Sequence, residues 1–372
     1  MRSTFSGAEL RLVRTFHGLA LDDVAARIGK TRQYIYKIET EQAQPTEELT
    51  ADLAVALGVA PQFFFARGYQ AGEDQFHFRK LAATRVGIKQ SVIARGTMIA
   101  RLVNWLERDL IFPALHIPEV SRIADPRDIE RVAEICRNEW GVGTGPIADT
   151  VRLAEHVGAV VTSFRATFKE VDALSVSASR PIIVRSEAKE STCRHRFDVA
   201  HELGHFVLHE GQITGDRLTE GDANRFASAL LVPRGMMVRF FPRGTGSRLD
   251  WKGISEFKLA WKVSKAAILY RARQLDLITE AKYRSGVITL RRTGEATRER
   301  EDNLIAQETP ALLTRAFDVL ATRKGIMKED IATAINWSPE LLEEVVGFPI
   351  PSRSGKAVNQ NKERPRVWLV KA

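Results

Sequence analysis

The sequence predicts a multidomain, mainly α chain: an all-α N-terminal bundle, a middle α+β part with a small sheet, and a helical C-terminal segment. Three observations predict it. Apolar residues recur at helical spacing over residues 7–66, 88–111 and 301–347. Only two short apolar runs, Ala159–Phe164 and Pro181–Val184, read as strands. Helical patterns stand before and after those two runs, which favours α+β over an all-α middle part.

The elements follow in order. Leu10, Leu12, Val13 and Phe16 give a first apolar face. A second helix spans Leu21 to Ile28, with Asp22 and Asp23 near its N-terminus, where the dipole favours negative charge, and Gly29 at its end. Thr31 is an N-cap for a third helix to about Thr40. Pro45 breaks the chain; Leu49, Leu53 and Leu57 lie four apart on a fourth helix stopped by Gly58, and Pro61–Phe65 closes the bundle. The polar passage Arg67–Glu73 reads as a boundary, and the helix after Ile88 as a connector ended by Pro113 and Pro118. Asp125-Pro126 opens a further helix with proline at its first position; residues 147–156 are also helical. A helix bearing paired histidines and one from Glu220 to Leu231, ended by Pro233, complete the middle part. The domains expected are 1–67, a connecting segment 68–120, 121–245, a helical accessory region 246–348 and a loose basic tail 349–372, in which Trp368-Leu369-Val370 docks as a last strand.

Composition narrows the function classes. Of 372 residues, 44% are hydrophobic and 27% charged, which supports a packed core and excludes wholesale disorder. The net charge of +9 favours polyanions such as nucleic acid. Arg11, Arg14, Arg27, Lys30, Arg32 and Lys37 cluster early, and Arg284, Arg291, Arg292, Arg298 and Arg300 later. Two cysteines, Cys136 and Cys193, do not make a disulfide scaffold. No stretch approaches the ~18 apolar residues of a membrane span and no signal peptide is visible, so the cytoplasm is the expected compartment and no membrane partner is expected.

The segment His201-Glu202-Leu203-Gly204-His205 carries the chemistry. Histidines four apart share one face of a helix, close enough for both imidazoles to ligate one Zn²⁺. Glu202 is offset to reach a water rather than the metal, as a general base must. Such a string arises by chance in roughly one chain in a hundred of this size, but here it lies in an apolar helical frame. A third ligand must come from elsewhere: Glu220 or Asp222 of the next helix, with the longer reach favouring Glu220. His209 reads as a surface or locally satisfied residue and Cys193 as a buried thiol.

Residues 196–209, with Asp222-Ala223-Asn224-Arg225-Phe226-Ala227 and the run on to Pro233, resemble the ImmA/IrrE family of metallo-endopeptidases over about residues 125–235. The lead-in Trp140-Gly141-Val142-Gly143-Thr144-Gly145-Pro146-Ile147 is similar to that family's. The resemblance implies a zincin-like domain, one Zn²⁺ per chain on His201, His205 and Glu220, with Glu202 catalytic, and a protein substrate such as a repressor or antitoxin-like partner. Asp222 stands where the family often has Glu, and Val232 where it usually has Met.

Residues 7–66 are similar to the Xre, lambda-repressor-like helix-turn-helix, with residues 21–29 as the supporting helix and 31–39 as the recognition helix. Lys30, Thr31, Arg32, Gln33, Tyr36 and Lys37 are the expected contacts to a double-stranded DNA operator; Arg32 and Gln33 suit bidentate contacts to guanine and adenine. Such operators are usually read by dimers, and the helix after residue 88 is a candidate homodimer interface. Residues 326–344 repeat the helix-turn-helix cadence with an acidic second helix, which speaks for an accessory unit rather than a DNA reader. The expected function is a DNA-binding transcriptional regulator fused to a zinc-dependent endopeptidase. The competing readings are a non-proteolytic sensor or interaction module on the same fold, and a toxin–antitoxin component.

Overall fold

The computed structural model describes residues 4–353 except 67, 71, 73–74, 79–85, 119, 121–124, 165–172, 187–190, 213 and 247. The chain opens with α1 (Gly7–Phe16), α2 (Leu21–Arg27), α3 (Arg32–Glu39) and α4 (Glu47–Leu57). The caps are those the side chains dictate: Thr31 accepts from the Tyr34 amide, Thr46 from the Leu49 amide, and α4 ends on Gly58 in the left-handed region at φ 68°. Next come β1 (Phe76–Phe78) and α5 (Val86–Leu106), then α6 (Pro126–Glu139), capped by Asp125, and α7 (Thr150–His156). They are followed by β2 (Val160–Phe164), β3 (Ala173–Ser177), β4 (Pro181–Ser186), α8 (Thr192–Leu208), α9 (Arg217–Leu231) and α10 (Arg234–Phe240). Helices α11 (Trp251–Trp261), α12 (Lys265–Gln274), α13 (Glu280–Arg292), α14 (Leu312–Val319), α15 (Lys328–Ala334) and α16 (Pro339–Val346) complete it. Among the described residues no helix is long and apolar enough to cross a membrane.

The four strands form one sheet in the order β1-β3-β4-β2, with β2 parallel to β4 and the other two pairings antiparallel. Two strands more than the sequence reading foresaw are present, because β1 has only three residues and β3, Ala-Leu-Ser-Val-Ser, has only two large apolar side chains. Alternate residues face opposite sides. Val160, Val176, Ile182 and Val184 join a core with α1–α5 and α14–α16; Val161 and Ile183 join a second core with α6–α9 and α11–α13. The sheet is thus a partition between two helical layers.

This layering changes three expectations. The helix read as a connector and dimer face is a core element: α5 buries Val92, Met98, Ile99, Leu102, Val103 and Leu106 within its own chain, so that face is not available to a second copy. The stretch 246–348 divides, α11–α13 packing beside α8 and α9 while α14–α16 pack beside the N-terminal helices. The tail is not loose at its start, since Ile350 is buried and Pro351 accepts from the Lys328 amide; residues 354–372, with the expected strand Trp368–Val370, lie outside the described residues. Arg67, Ala71 and Glu73 of the expected first boundary also lie outside them.

The acidic C-terminal helix has an internal use. Glu344 lies 3.3 Å from Arg95 of α5 and 3.5 Å from His17, and Glu343 lies 3.0 Å from Lys328. Backbone bonds from Ala60 N to Asn336 O and from Ser338 N to Gly58 O, both 2.9 Å, fasten the α15–α16 turn to the end of α4. In the first layer, Glu39 of α3 is buried and grips Arg14 of α1 through bonds of 2.5 and 3.0 Å. Truncation of Glu39 to Ala would strand the Arg14 guanidinium in a largely buried position, and we expect a loss of about 3 kcal/mol, measured by urea unfolding.

Candidate metal centre and exposed helix

α8 is a helix of 17 residues whose histidine face turns inward. One turn separates His201 from His205, and their Nε2 atoms lie 3.1 Å apart. α9 crosses this face closely. A Cβ on Gly204 would stand 3.0 Å from the Phe226 ring and 3.3 Å from the Ala223 backbone, so glycine lets the two helices meet. That approach brings Glu220, four residues into α9 after its cap Asp216, against the histidines: Oε2 is 3.4 Å from His201 Nε2 and Oε1 is 3.3 Å from His205 Nε2. Ligand atoms of His201, His205 and Glu220 all lie within 4.8 Å of one another, the one such group of three or more His, Cys, Asp or Glu among the described residues.

The trio fits a metal ion. Zn–N and Zn–O bonds of ~2.0–2.1 Å at tetrahedral angles place neighbouring donors ~3.3 Å apart, close to the 3.1, 3.3 and 3.4 Å observed. Two imidazole nitrogens facing each other need a cation between them, a proton or a metal. Glu220 Oε1 is buried without a hydrogen bond, an acceptor awaiting a partner. Burial opposes the charge of Glu220, yet the two imidazoles outweigh it and hold the carboxyl down to about 2.

The far sides of both rings are also held. His201 Nδ1 lies 3.2 Å from Asn224 Oδ1, an acceptor only, so that nitrogen carries the proton and Nε2 keeps its lone pair. His205 Nδ1 lies 3.1 Å from His209 Nδ1. Burial, and then His205, push the His209 imidazole down to about 4, so it is neutral near pH 7 and accepts at Nδ1. His209 is therefore buried against a candidate ligand, not on the surface. Asp222 reaches it at 4.0 Å and does not join the trio.

Glu202 is buried on α8, and its Oε2 accepts a short hydrogen bond from the Ser175 hydroxyl of β3. Burial raises the Glu202 pKa; the neighbouring imidazoles and Ser175 offset this only in part. The sequence reading missed Ser175, which lies on an unforeseen strand. It did place Asn224 on one helix face with Glu220 but gave it no role. Cys193 is buried and outside the trio, its thiol pushed up to about 12 by burial.

On the other layer, Lys30, Thr31, Arg32, Gln33, Tyr36 and Lys37 are all exposed, while Ile35 and Ile38 of the same helix are in the core. Arg32 makes one solvent-exposed contact, 3.6 Å from Asp22. Arg14 and Arg27, counted with the basic cluster, are engaged within the chain by Glu39 and by the Ala56 carbonyl.

The tautomer argument is testable. Asn224→Ala removes the acceptor that fixes His201, and zinc affinity measured by chelator competition should fall about tenfold or more, while Asn224→Asp, which still accepts, should retain it.

Comparison with known families bears on both layers. The model of the IrrE N-terminal-like domain, Peptidase_M78, matches residues 154–273, taking in α8, α9, α11 and most of α12. The Helix-turn-helix model HTH_3 matches residues 10–64. Comparison with curated proteins gives no match. The chain carries, in this order, a helix-turn-helix domain and an IrrE N-terminal-like domain of the Peptidase_M78 family.

Proposed function

We propose that the protein is a DNA-binding transcriptional regulator whose second domain is a zinc-dependent endopeptidase acting on a regulatory protein. The observation that carries the peptidase half is the convergence of two imidazoles and a carboxylate beside a separate, buried carboxylate, Glu202. His201, His205 and Glu220 would hold one zinc ion per chain. Zinc on such donors supplies Lewis acidity, polarising a peptide carbonyl and bringing the pKa of water near neutrality.

The chain's own residues do the rest. Glu202 takes the proton from the attacking water and delivers it to the departing amine nitrogen, two transfers that suit a carboxylate made more basic by burial. Ser175, donating to Oε2, fixes the plane of that carboxylate. Asn224 and His209 keep the ligand rings turned toward the site. A non-proteolytic sensor is the second reading, favoured by the burial of both imidazoles in this form. The two separate cleanly: Glu202→Gln should retain zinc and lose at least about a hundredfold in cleavage of an unstructured protein such as β-casein. Equal residual cleavage by wild type and variant would remove the catalytic assignment.

The N-terminal domain would read an operator through α3. Arg32 and Gln33, at its exposed N-terminal end, face the base edges; Lys30, Lys37 and Tyr36 serve phosphates or bases, and the Thr31 hydroxyl, already accepting from Tyr34, still has its proton to donate. A palindromic operator would bring two chains together through a surface other than α5. With an operator selected from random DNA, Arg32→Ala should cost about tenfold in affinity and relax the preference at one base pair. Lys37→Ala should instead weaken all sequences alike and flatten the salt dependence by about one phosphate contact.

A further inference from the structure

His201 and His205 are 0% exposed and Glu202 1%, so a polypeptide reaches them only after some element moves aside. The strand beside the site is β3, whose Ser175 hydroxyl donates to Glu202. An extended peptide adds to a sheet through the N–H and C=O groups of a strand edge. On β3 that outer edge is taken by β1, antiparallel, with Phe76 opposite Val176, His77 opposite Ser175 and Phe78 opposite Leu174. β1 does not come from the family-matched peptidase segment: it belongs to the stretch between the helix-turn-helix and α5.

Its anchorage is short and specific. Phe76 is buried against α5 and β3, where a Cβ on Gly96 would stand 2.7 Å from its ring and 2.8 Å from Val176 Cγ2. Gln75 Nε2 donates to the Ser177 carbonyl at 3.0 Å, and its Oε1 accepts from the Tyr69 hydroxyl and the Gly72 amide. Upstream, Arg101 of α5 donates to the Tyr69 carbonyl and pairs with Glu9 of α1. A three-residue strand makes few hydrogen bonds, but a segment tethered at both ends competes at an effective concentration on the order of millimolar. It therefore excludes a free peptide at ordinary concentrations until its anchors are loosened.

We propose that β1 is a resident strand standing in for a peptide on the β3 edge, so that the chain's own inter-domain segment shuts the site, and an extended polypeptide gains that edge only when β1 leaves. The exchange of strands stands by itself; only its consequence for cleavage rests on the peptidase reading.

The test uses the zinc-loaded full chain as wild type, Phe76→Ser and Gln75→Ala. The probe is a fluorescein-labelled synthetic peptide of residues 73–80. Phe76→Ser should bind it at least tenfold more tightly than wild type, with faster hydrogen exchange at the amides of residues 174–176, and Gln75→Ala should move both in the same direction. Gln75→Ala, which leaves the core intact, carries the test should Phe76→Ser not fold. Cleavage of β-casein by the same samples should rise at least tenfold. Unchanged exchange in both variants, or faster exchange with peptide affinity equal to wild type, would overturn the proposal. Tighter peptide binding without any cleavage would uphold the resident strand and count against the peptidase reading instead.

Discussion

Two histidines on adjacent turns of a helix can offer two nitrogens to one ion, but never a third donor from the same turn. The third has to be carried in on another element, and how close that element comes is set by what stands at the crossing. In this protein it is Gly204, between the two histidines, against Ala223 and Phe226 of α9. A larger side chain there would push α9 outward and carry Glu220 away from both imidazoles. Much else serves that crossing. Arg271, buried in α12, binds Glu130 of α6 and the carbonyl of Val232 at the end of α9. Arg137 of α6 bonds the Leu230 carbonyl. Buried guanidinium groups clamp the same end of α9 from two sides, and such groups persist only where their hydrogen bonds are met.

The sheet does a different task. With one face in each core, it makes β3 a shared wall: Val176 packs toward the helix-turn-helix side, Ser175 toward Glu202. Behind the sheet, the segment 305–311 ties the layers together. Glu308 accepts from the amides of Thr150 and Val151 at the start of α7 and pairs with the fully buried Arg196 of α8, while Glu155 of α7 accepts from the amides of Ala311 and Leu312. The first turn of α8, two turns before His201, is thereby fixed by the same strap that delivers the chain to α14.

Legibility in the sequence followed range. Features set by neighbours in the chain were readable: the caps Thr31 and Asp125, the stop at Gly58, the i, i+4 histidines, and the acid on the following helix. Features set by distant partners were not. Ser175 has no local signature, since a serine between Leu174 and Val176 reads as well for a turn as for a strand. The periodicity of α5 announced a helix, but its small residues Ala94, Gly96 and Ala100, which admit close neighbours, were the better clue that it is buried on several sides. Arg14 and Glu39 are 25 residues apart, so a charge count credits the arginine to a DNA surface that it does not serve. His209 repeats the spacing of His201 and His205, yet only the fold shows that it stands behind the second of them.

The layer that holds the helix-turn-helix is stitched from two ends of the chain. Residues 5–112 supply one part of its core and residues 312–350 the other, with some two hundred residues of the opposite layer between them. On the ribosome the exposed face of α3 is made first, whereas α16, whose Leu341, Leu342, Val345 and Val346 complete the same core and whose Glu344 meets His17 and Arg95, is made near the end. Domains usually fold in order as they emerge. Here the N-terminal bundle leaves the tunnel with an uncovered apolar back and keeps it through the synthesis of the whole peptidase layer. Contacts this far apart in sequence close slowly, and in that interval the nascent chain has a sticky surface to shield. A chain cut short by a premature stop would keep that surface for good, so that truncation yields an aggregation-prone fragment rather than a free DNA-binding domain.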